Sequence, residues 1–132
     1  MRTTISASGP VAADLAWERY ADLDRWAGWA PQISGVDAPE RRLRPGLRGT
    51  VRAAGVVRVP FEVLAVDEAA RTWSWRVSLG PIRLHLDHGV EDTPYAGGRG
   101  TRTWLVTEGP APVVLPYTPV ANVALQFLVR ER

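Results

Sequence analysis

Cysteine and lysine are both absent from this sequence of 132 residues. Without cysteine the chain can form no disulfide framework, no thiolate metal site and no thiol nucleophile. Proteins without disulfides are common in reducing compartments, so we expect a cytoplasmic location. Residues 1–6 lack the apolar core of a secretory signal, and no continuous apolar run approaches the ~20 residues needed to span a bilayer. The sequence therefore predicts neither a signal peptide nor a membrane span.

Motifs for nucleophilic, phosphate-binding and metal chemistry are also missing. There is no Gly-x-Ser-x-Gly elbow, and the glycine-rich residues 97–100 precede no lysine and lie between two predicted strands. His85 and His88 lie on one predicted strand, where their odd spacing places them on opposite faces, so they cannot bind the same ion. We therefore expect no metal site and no cofactor, and we assign no catalytic residue.

The positive charge is carried by arginine alone and is unevenly distributed. Residues 41–58 contain six arginines and no acidic residue, whereas both flanking segments carry more acids than arginines. Such a patch could bind phosphate or another anionic group, or it could be the solvated surface of a hairpin. Nucleic-acid binding is the weaker interpretation, because arginines and aromatics do not alternate on one face, and we expect no nucleic-acid partner. The six are Arg41, Arg42, Arg44, Arg48, Arg52 and Arg58.

From residue 47 onward, apolar and polar residues alternate in the pattern of half-buried strands. The predicted strands are 3–7, 36–43 (an edge strand or an irregular link), 47–53, 56–66, 71–79, 82–90 and 101–108. Turns are predicted at 54–55 and 80–81, a loop at 93–100, and an edge position or bulge at Pro60. The residues predicted to face the interior include Val59, Phe61, Val63, Ala65, Trp73, Trp75, Val77, Leu79, Ile82, Leu84, Leu86, His88 and Val90.

Helices are predicted at both ends of the chain. Residues 11–23 and 24–29 form two short ones, and residues 115–132 form a long apolar helix, with Thr118 as its cap and Pro119 at its first position. Val123, Phe127 and Leu128 would contact the sheet. With no repeat and no linker, residues 1–132 form a single domain. The prediction is an α+β fold, a curved antiparallel sheet of about seven strands around the C-terminal helix, with two short helices after strand one.

Several short motifs occur in an order and spacing that resemble one known superfamily. They are the Gly9-Pro10-Val11 to Trp17 segment, residues 23–31 with Trp26 and Trp29, Trp73-Ser74-Trp75, His88, Gly100-Thr101-Arg102 and Glu108-Gly109-Pro110. Together they extend over most of the chain. The sequence resembles the START-related helix-grip superfamily (SRPBCC), in its polyketide cyclase/dehydrase-like group. This resemblance implies the helix-grip fold, with a cavity between the sheet and the last helix.

The resemblance also implies a class of function, since members bind lipids, sterols, polyketides or other apolar molecules and some are cyclases or aromatases. We expect binding of a small hydrophobic or aromatic ligand; the alternative is a polyketide cyclase or aromatase using the same cavity. The tryptophans could either fill the interior or line it, and the protein could be a monomer or a homodimer. The residues expected to contact the ligand are Trp26, Trp29, Phe61, Trp73, Trp75, His88, Trp104, Tyr117, Ala121 and Ala124.

Overall fold

A computed structural model describes residues 1–53 and 56–131. The turn predicted at 54–55 and the last residue of the predicted C-terminal helix lie outside the described residues. In chain order the elements are β1 (Arg2–Gly9), α1 (Ala13–Ala21), a 3₁₀ turn (Leu23–Arg25), α2 (Trp26–Trp29), β2 (Ile33–Asp37), β3 (Arg48–Ala53), β4 (Val57–Asp67), β5 (Thr72–Leu79), β6 (Ile82–Tyr95), β7 (Gly98–Glu108) and α3 (Ala111–Leu128).

The seven strands form one antiparallel sheet in the order β1-β7-β6-β5-β4-β3-β2. Consecutive strands from β2 to β7 are neighbours, and β1 closes the edge against β7, so the sheet is a meander that curls into a half-barrel. The helix α3 packs against β1 and β7, while α1 packs against β6 and β7 and α2 against β2. The predicted α+β class and the curved sheet around a C-terminal helix are confirmed.

The alternation predicted for β5 and β6 is confirmed, since Trp73, Trp75, Leu86 and His88 are all buried. In β4 the prediction is wrong at Ala65, which is exposed. The register between β4 and β5 shifts between Val63 and Ala65, and this bulge turns the following residues to the other face. Pro60 lies where β4 pairs with β3 alone, which agrees with its predicted edge position.

Two predicted boundaries are wrong. The segment predicted at 36–43 as an edge strand or an irregular link is strand only as far as Asp37, in a strand that begins at Ile33; the rest is irregular, as the second alternative has it, apart from one bridge between Asp22 and Arg42. The loop predicted at 93–100 is mostly strand, because β6 and β7 continue to Tyr95 and Gly98. Ala96 and Gly97 join them with φ values of 50° and 82°, the backbone of a tight hairpin turn.

The helix α3 begins before the predicted start. Pro110 occupies the N-cap position without a side-chain hydrogen bond, and Pro116 and Pro119 lie inside the helix on its exposed side. Thr118 is not a cap: its Oγ1 donates to the carbonyl oxygen of Val114 at 2.8 Å. Burial of residues such as Val114 and Leu125 holds the helix in place although each internal proline removes one backbone hydrogen bond.

Part of α3 is apolar and exposed. Leu128 is buried and Phe127 is partly buried against the core, but Val123 is 48% exposed, so its predicted packing on the sheet is wrong. Among the described residues, α3 is the one helix whose length and composition, with a mean hydropathy of 1.3, would suffice to cross a membrane. Its buried residues are Val114, Ala121, Ala124, Leu125 and Leu128, and the helix packs against β1, β7 and α2.

The arginine-rich stretch 41–58 is matched by acidic residues from elsewhere in the chain. Arg42 pairs with both Glu18 and Glu68, and Asp37 pairs with both Arg52 and Arg58. Each of the other three arginines of the stretch also has a carboxylate within 4.0 Å or less. The patch that stands out in the sequence is therefore largely neutralised in the fold.

Candidate functional site

A cavity of about 300 Å³ lies between the concave face of the sheet and α3. Its walls come from β3 to β7, from α2 and the residues that follow it, and from the middle of α3. The lining is almost entirely apolar and contains no charged side chain among the described residues. Its residues are Trp26, Trp29, Gln32, Ile33, Val51, Ala53, Val57, Val59, Trp73, Trp75, Val77, Leu79, Leu84, Leu86, His88, Leu105, Tyr117, Val120, Ala121, Ala124 and Leu125.

Eight of the ten residues predicted to contact a ligand line this cavity; whether they contact one stays a prediction. Phe61 is buried but lies behind the wall, with its ring 5.4 Å from the ring of Trp75 and 5.9 Å from that of Trp26. The eight are Trp26, Trp29, Trp73, Trp75, His88, Tyr117, Ala121 and Ala124.

The interior position predicted for Trp104 is wrong, because this residue lies on the outer face of the sheet in a shallow surface groove. It pairs directly with Gly89, and a Cβ on Gly89 would meet the indole at 2.2 Å, so the ring lies across the glycine. The inward positions of β7 belong to Thr103 and its neighbours at odd positions. Thr103 tolerates burial because its Oγ1 donates to the carbonyl oxygen of Gly89 at 2.9 Å.

An aromatic cluster forms one wall of the cavity. The rings of Trp73 and His88 are stacked, with centroids 4.5 Å apart and planes at 9°. Tyr20 meets His88 edge-on at 5.0 Å, and Trp75 lies 5.2 Å from both Trp73 and Trp26. Trp73 and His88 are directly opposite in the β5–β6 register, so the sheet itself sets their stacking.

His88 is held in one protonation and tautomeric state by its surroundings. The indole N–H of Trp75 can only donate, and it lies 3.2 Å from Nε2 of His88, so that nitrogen is the acceptor. The proton of the neutral ring is therefore on Nδ1. Burial lowers the pKa of His88 from its ordinary 6.5 to about 3, which keeps the ring neutral near pH 7.

Three buried polar atoms of the cavity-lining residues have no hydrogen-bond partner among the described residues: Oε1 of Gln32, Nε1 of Trp73 and Nδ1 of His88. The other tryptophan donors of the lining are paired. Nε1 of Trp26 and Nε1 of Trp29 each donate to a backbone carbonyl oxygen at 2.7 Å. Most buried polar groups in folded proteins are paired, so these three atoms are exceptions.

Two tyrosine hydroxyls lie near the cavity and differ in their bonding. The Tyr20 hydroxyl donates to Oγ1 of Thr103 at 2.7 Å, because the one Thr103 proton is already given to Gly89. Burial raises the pKa of Tyr20, and it raises the pKa of Tyr117 to about 12. The Tyr117 hydroxyl has no hydrogen bond within the described part of the chain. Both phenols are protonated near pH 7, and Tyr20 is fixed in the structure.

The mouth of the cavity is apolar. Val57, Leu79 and Val120 line the cavity and are also exposed, by 46%, 36% and 40%. The start of β4, the end of β5 and the first half of α3 lie at the same end of the domain, because β5 and β7 run in the same direction and α3 follows β7. The exposed part of the lining that the structure describes is therefore apolar at these three residues.

The sequence prediction missed much of the aliphatic wall and the unpaired Gln32. Val59 is predicted to face the interior but is not named among the ligand contacts, and Ala53 lies on the neighbouring predicted strand, so both could have been assigned to the cavity wall. Gln32 gave no signal, because it follows the short helix α2 and has no periodic pattern. In the described ranges, no group of three or more His, Cys, Asp and Glu residues could hold a metal ion. His85 instead lies 3.0 Å from Asp87 on the outer face.

Three solved structures are similar in fold. The crystal structure of Ara h 8.0201 has a TM-score of 0.71 and 16% sequence identity, over 97% of this chain and 94% of that one. A protein of Nitrosospira multiformis has a TM-score of 0.79 and 14% identity, over 98% and 94%. The di-domain ARO/CYC BexL of the BE-7585A biosynthetic pathway has a TM-score of 0.78 and 17% identity, over 98% of this chain and 45% of that one.

The family comparison extends over nearly the whole chain. No curated protein matches this chain. The model of the family described as polyketide cyclase / dehydrase and lipid transport matches residues 2–128, which include every element from β1 to α3. The curled sheet, the C-terminal helix and this match show that the chain belongs to the polyketide cyclase/dehydrase and lipid transport family, within the START-related helix-grip superfamily.

Proposed function

We propose that this protein binds a small apolar or aromatic molecule in the cavity between the sheet and α3. The observation that carries the proposal is that four tryptophans line the interior without filling it, so that about 300 Å³ remains. This volume is at the lower end of the range of about 300–1,000 Å³ that is typical of small-molecule sites. Ala121 and Ala124 contribute to the space, because larger side chains at these buried positions would occupy it.

The lining also favours an uncharged ligand. Burying a charge is costly unless it is paired, and no arginine, aspartate or glutamate lines the cavity in the described residues. The aromatic and aliphatic walls would instead stabilise a flat apolar molecule through burial and ring contacts. The family description, which includes lipid transport, supports the same kind of ligand.

Binding fits the cavity better than the alternative function, a cyclase or aromatase. That chemistry needs a group that can take up or release a proton beside the substrate. In His88 the lone pair of Nε2 already accepts from Trp75, and the depressed pKa of the ring keeps it from acting as an acid near pH 7. The phenol of Tyr117 has a pKa of about 12, so it supplies no base under the same conditions.

The test is a titration with 1-aminoanthracene, a neutral aromatic probe whose fluorescence rises in an apolar site. We expect saturable binding to the natural protein. Ala124→Leu puts three additional carbon atoms at a buried position in the cavity wall and should weaken binding by about tenfold or more. The control is Asn122→Leu, which places the same leucine side chain on the exposed side of α3 and should leave binding unchanged.

The thermal midpoint of each variant shows whether it is folded. Ala121→Leu provides a second cavity-filling variant if Ala124→Leu does not fold. Loss of binding in the cavity-filling variant with retention in the control would support the proposal. Equal probe affinity in all folded variants, or no saturable binding to the natural protein, would contradict it.

A further inference from the structure

Two of the unpaired polar atoms are hydrogen-bond donors on one pair of stacked rings, and both rings belong to residues that line the cavity. Nδ1 of His88 carries a proton because Nε2 accepts from Trp75, and Nε1 of an indole is always a donor. His88 is 4% exposed and Trp73 is 3% exposed, so water outside the domain does not satisfy either group. A buried donor left without a partner costs free energy, and a ligand that accepts from it recovers that cost.

We propose that the stacked pair of His88 and Trp73 forms a subsite for a neutral hydrogen-bond acceptor, such as the carbonyl oxygen of an aromatic ketone or quinone. This inference rests on the proposed function, because it concerns the orientation and chemistry of the ligand in the same cavity. It adds that hydrophobicity alone does not select the ligand, and that one end of the molecule must carry an oxygen that accepts hydrogen bonds.

The subsite lies away from the mouth. Trp73 and Leu79 are six residues apart on β5, which corresponds to roughly 20 Å at the usual rise of a strand. Leu79 is at the exposed mouth, whereas Trp73 and His88 are buried. A ligand that satisfies both regions would therefore lie with its acceptor at the inner end and its apolar part toward Val57 and Val120.

The acceptor is neutral rather than a carboxylate. Both donors are themselves uncharged, and within the described residues no arginine side chain lines the cavity to compensate a buried anion. The subsite should thus discriminate a ketone from an acid of the same size. Gln32 is not part of the proposal, because rotation of its amide by a half-turn can present either a donor or an acceptor.

The experiment compares three probes that share one ring system: fluorene, 9-fluorenone and fluorene-9-carboxylate. Affinities are measured by calorimetry, and the carbonyl stretch of bound 9-fluorenone is recorded by infrared difference spectroscopy. We expect 9-fluorenone to bind about tenfold or more tightly than fluorene, since two unpaired donors gain a partner, and fluorene-9-carboxylate to bind more weakly than both. The bound carbonyl should absorb at lower frequency than in cyclohexane.

Two variants assign the effect to the donors. Trp73→Phe and His88→Phe keep an aromatic ring and remove the N–H groups, so they should reduce the preference for 9-fluorenone over fluorene several-fold. Trp17→Phe is the control: this residue is not part of the cavity lining and its N–H donates to Oε1 of Glu68 at 2.7 Å, so the preference should not change. Fluorene binding by each variant reports that the cavity has kept its shape.

The outcomes separate this inference from the proposed function. Equal affinities for fluorene and 9-fluorenone, with a carbonyl stretch unchanged from cyclohexane, would overturn the acceptor subsite and leave cavity binding intact. Tighter binding of the carboxylate would also overturn it. Binding of none of the three probes would contradict the proposed function, and this inference with it.

Discussion

The indole N–H of Trp75 lies 3.2 Å from Nε2 of His88, and this bond determines which nitrogen of the His88 ring carries the proton. It takes the only lone pair that the imidazole could use as a base. It also leaves the ring proton on Nδ1, where no group of residues 1–53 and 56–131 accepts it. His88, predicted from the sequence as a ligand contact, is therefore a fixed, neutral donor in the fold.

Replacing Trp75 by phenylalanine should destabilise the protein and allow the proton of the His88 ring to lie on either nitrogen. The variant leaves Nε2 buried without a donor, which costs about 1–3 kcal/mol. Urea denaturation measures that loss. Nitrogen NMR of the imidazole should show Nδ1 protonated in the natural protein, with Nε2 unprotonated. A natural protein in which Nε2 carries the proton would contradict the hydrogen-bond assignment.

Stability should depend on pH through His88. Its pKa is 6.5 in ordinary surroundings and about 3 in the fold, so the unfolded chain binds more protons between these two values. The contribution of His88 is complete above pH 6.5 and is lost as the pH falls toward 3, by roughly 1.4 kcal/mol per unit. Urea denaturation from pH 7 to pH 4 should show a smaller loss in His88→Phe than in the natural protein.

His85→Gln is the control for this pH dependence. His85 is partly exposed on the outer face, beside Asp87, and its substitution should leave most of the acid-induced loss in place. If His88→Phe and the natural protein lose stability in parallel below pH 6.5, then the ring of His88 is not buried as the structure describes.

Gly89 and Trp104 should show strong coupling on the outer face of the sheet. A methyl group at Gly89 would lie 2.2 Å from the indole of Trp104, so Gly89→Ala forces the ring away and should cost about 1–3 kcal/mol. In Trp104→Ala the same methyl group meets no ring, and Gly89→Ala should then cost much less. A double-mutant cycle by urea denaturation measures the coupling, and additive effects would contradict the contact.

The arginine-rich stretch should contribute little to stability despite its prominence in the sequence. Arg42 pairs with Glu18 and Glu68 on the surface, where about half of each side chain remains exposed. Because exposed ion pairs contribute about 1 kcal/mol or less, Arg42→Gln should lower the free energy of unfolding by no more than this. Urea denaturation of the variant and the natural protein at low and high salt measures this difference. A loss of several kcal/mol would contradict the prediction, because the ion pairs of Arg42 would then be essential for the fold.

Local periodicity predicted the parts of the fold that have one buried face. On β5 and β6 the period of two placed Trp73, Trp75, Leu86 and His88 correctly, because a register error would expose all of them at once. The small residues Ala121 and Ala124 of α3 are predicted to leave space between the helix and the sheet, and both line the cavity.

The sequence was least informative where polar residues are buried or where apolar ones are not. Trp104 was assigned to the interior for its hydrophobicity, whereas Thr103 occupies the inner face because its hydroxyl finds partners there. The start of α3 was missed because Pro116 normally ends a helix, and only its tertiary packing overrides that preference. The bond between Trp75 and His88 links residues on two strands and could not be read from either strand alone.

The most direct measurement of the central claim, a ligand cavity under α3, is an NMR experiment on methyl-labelled protein with unlabelled 9-fluorenone. Intermolecular NOEs from the ligand to the methyl groups of Val77, Leu84 and Leu86, which line the interior, are the expected result. NOEs confined to exposed methyl groups such as those of Val123 and Leu115, with none to the interior, would contradict the claim.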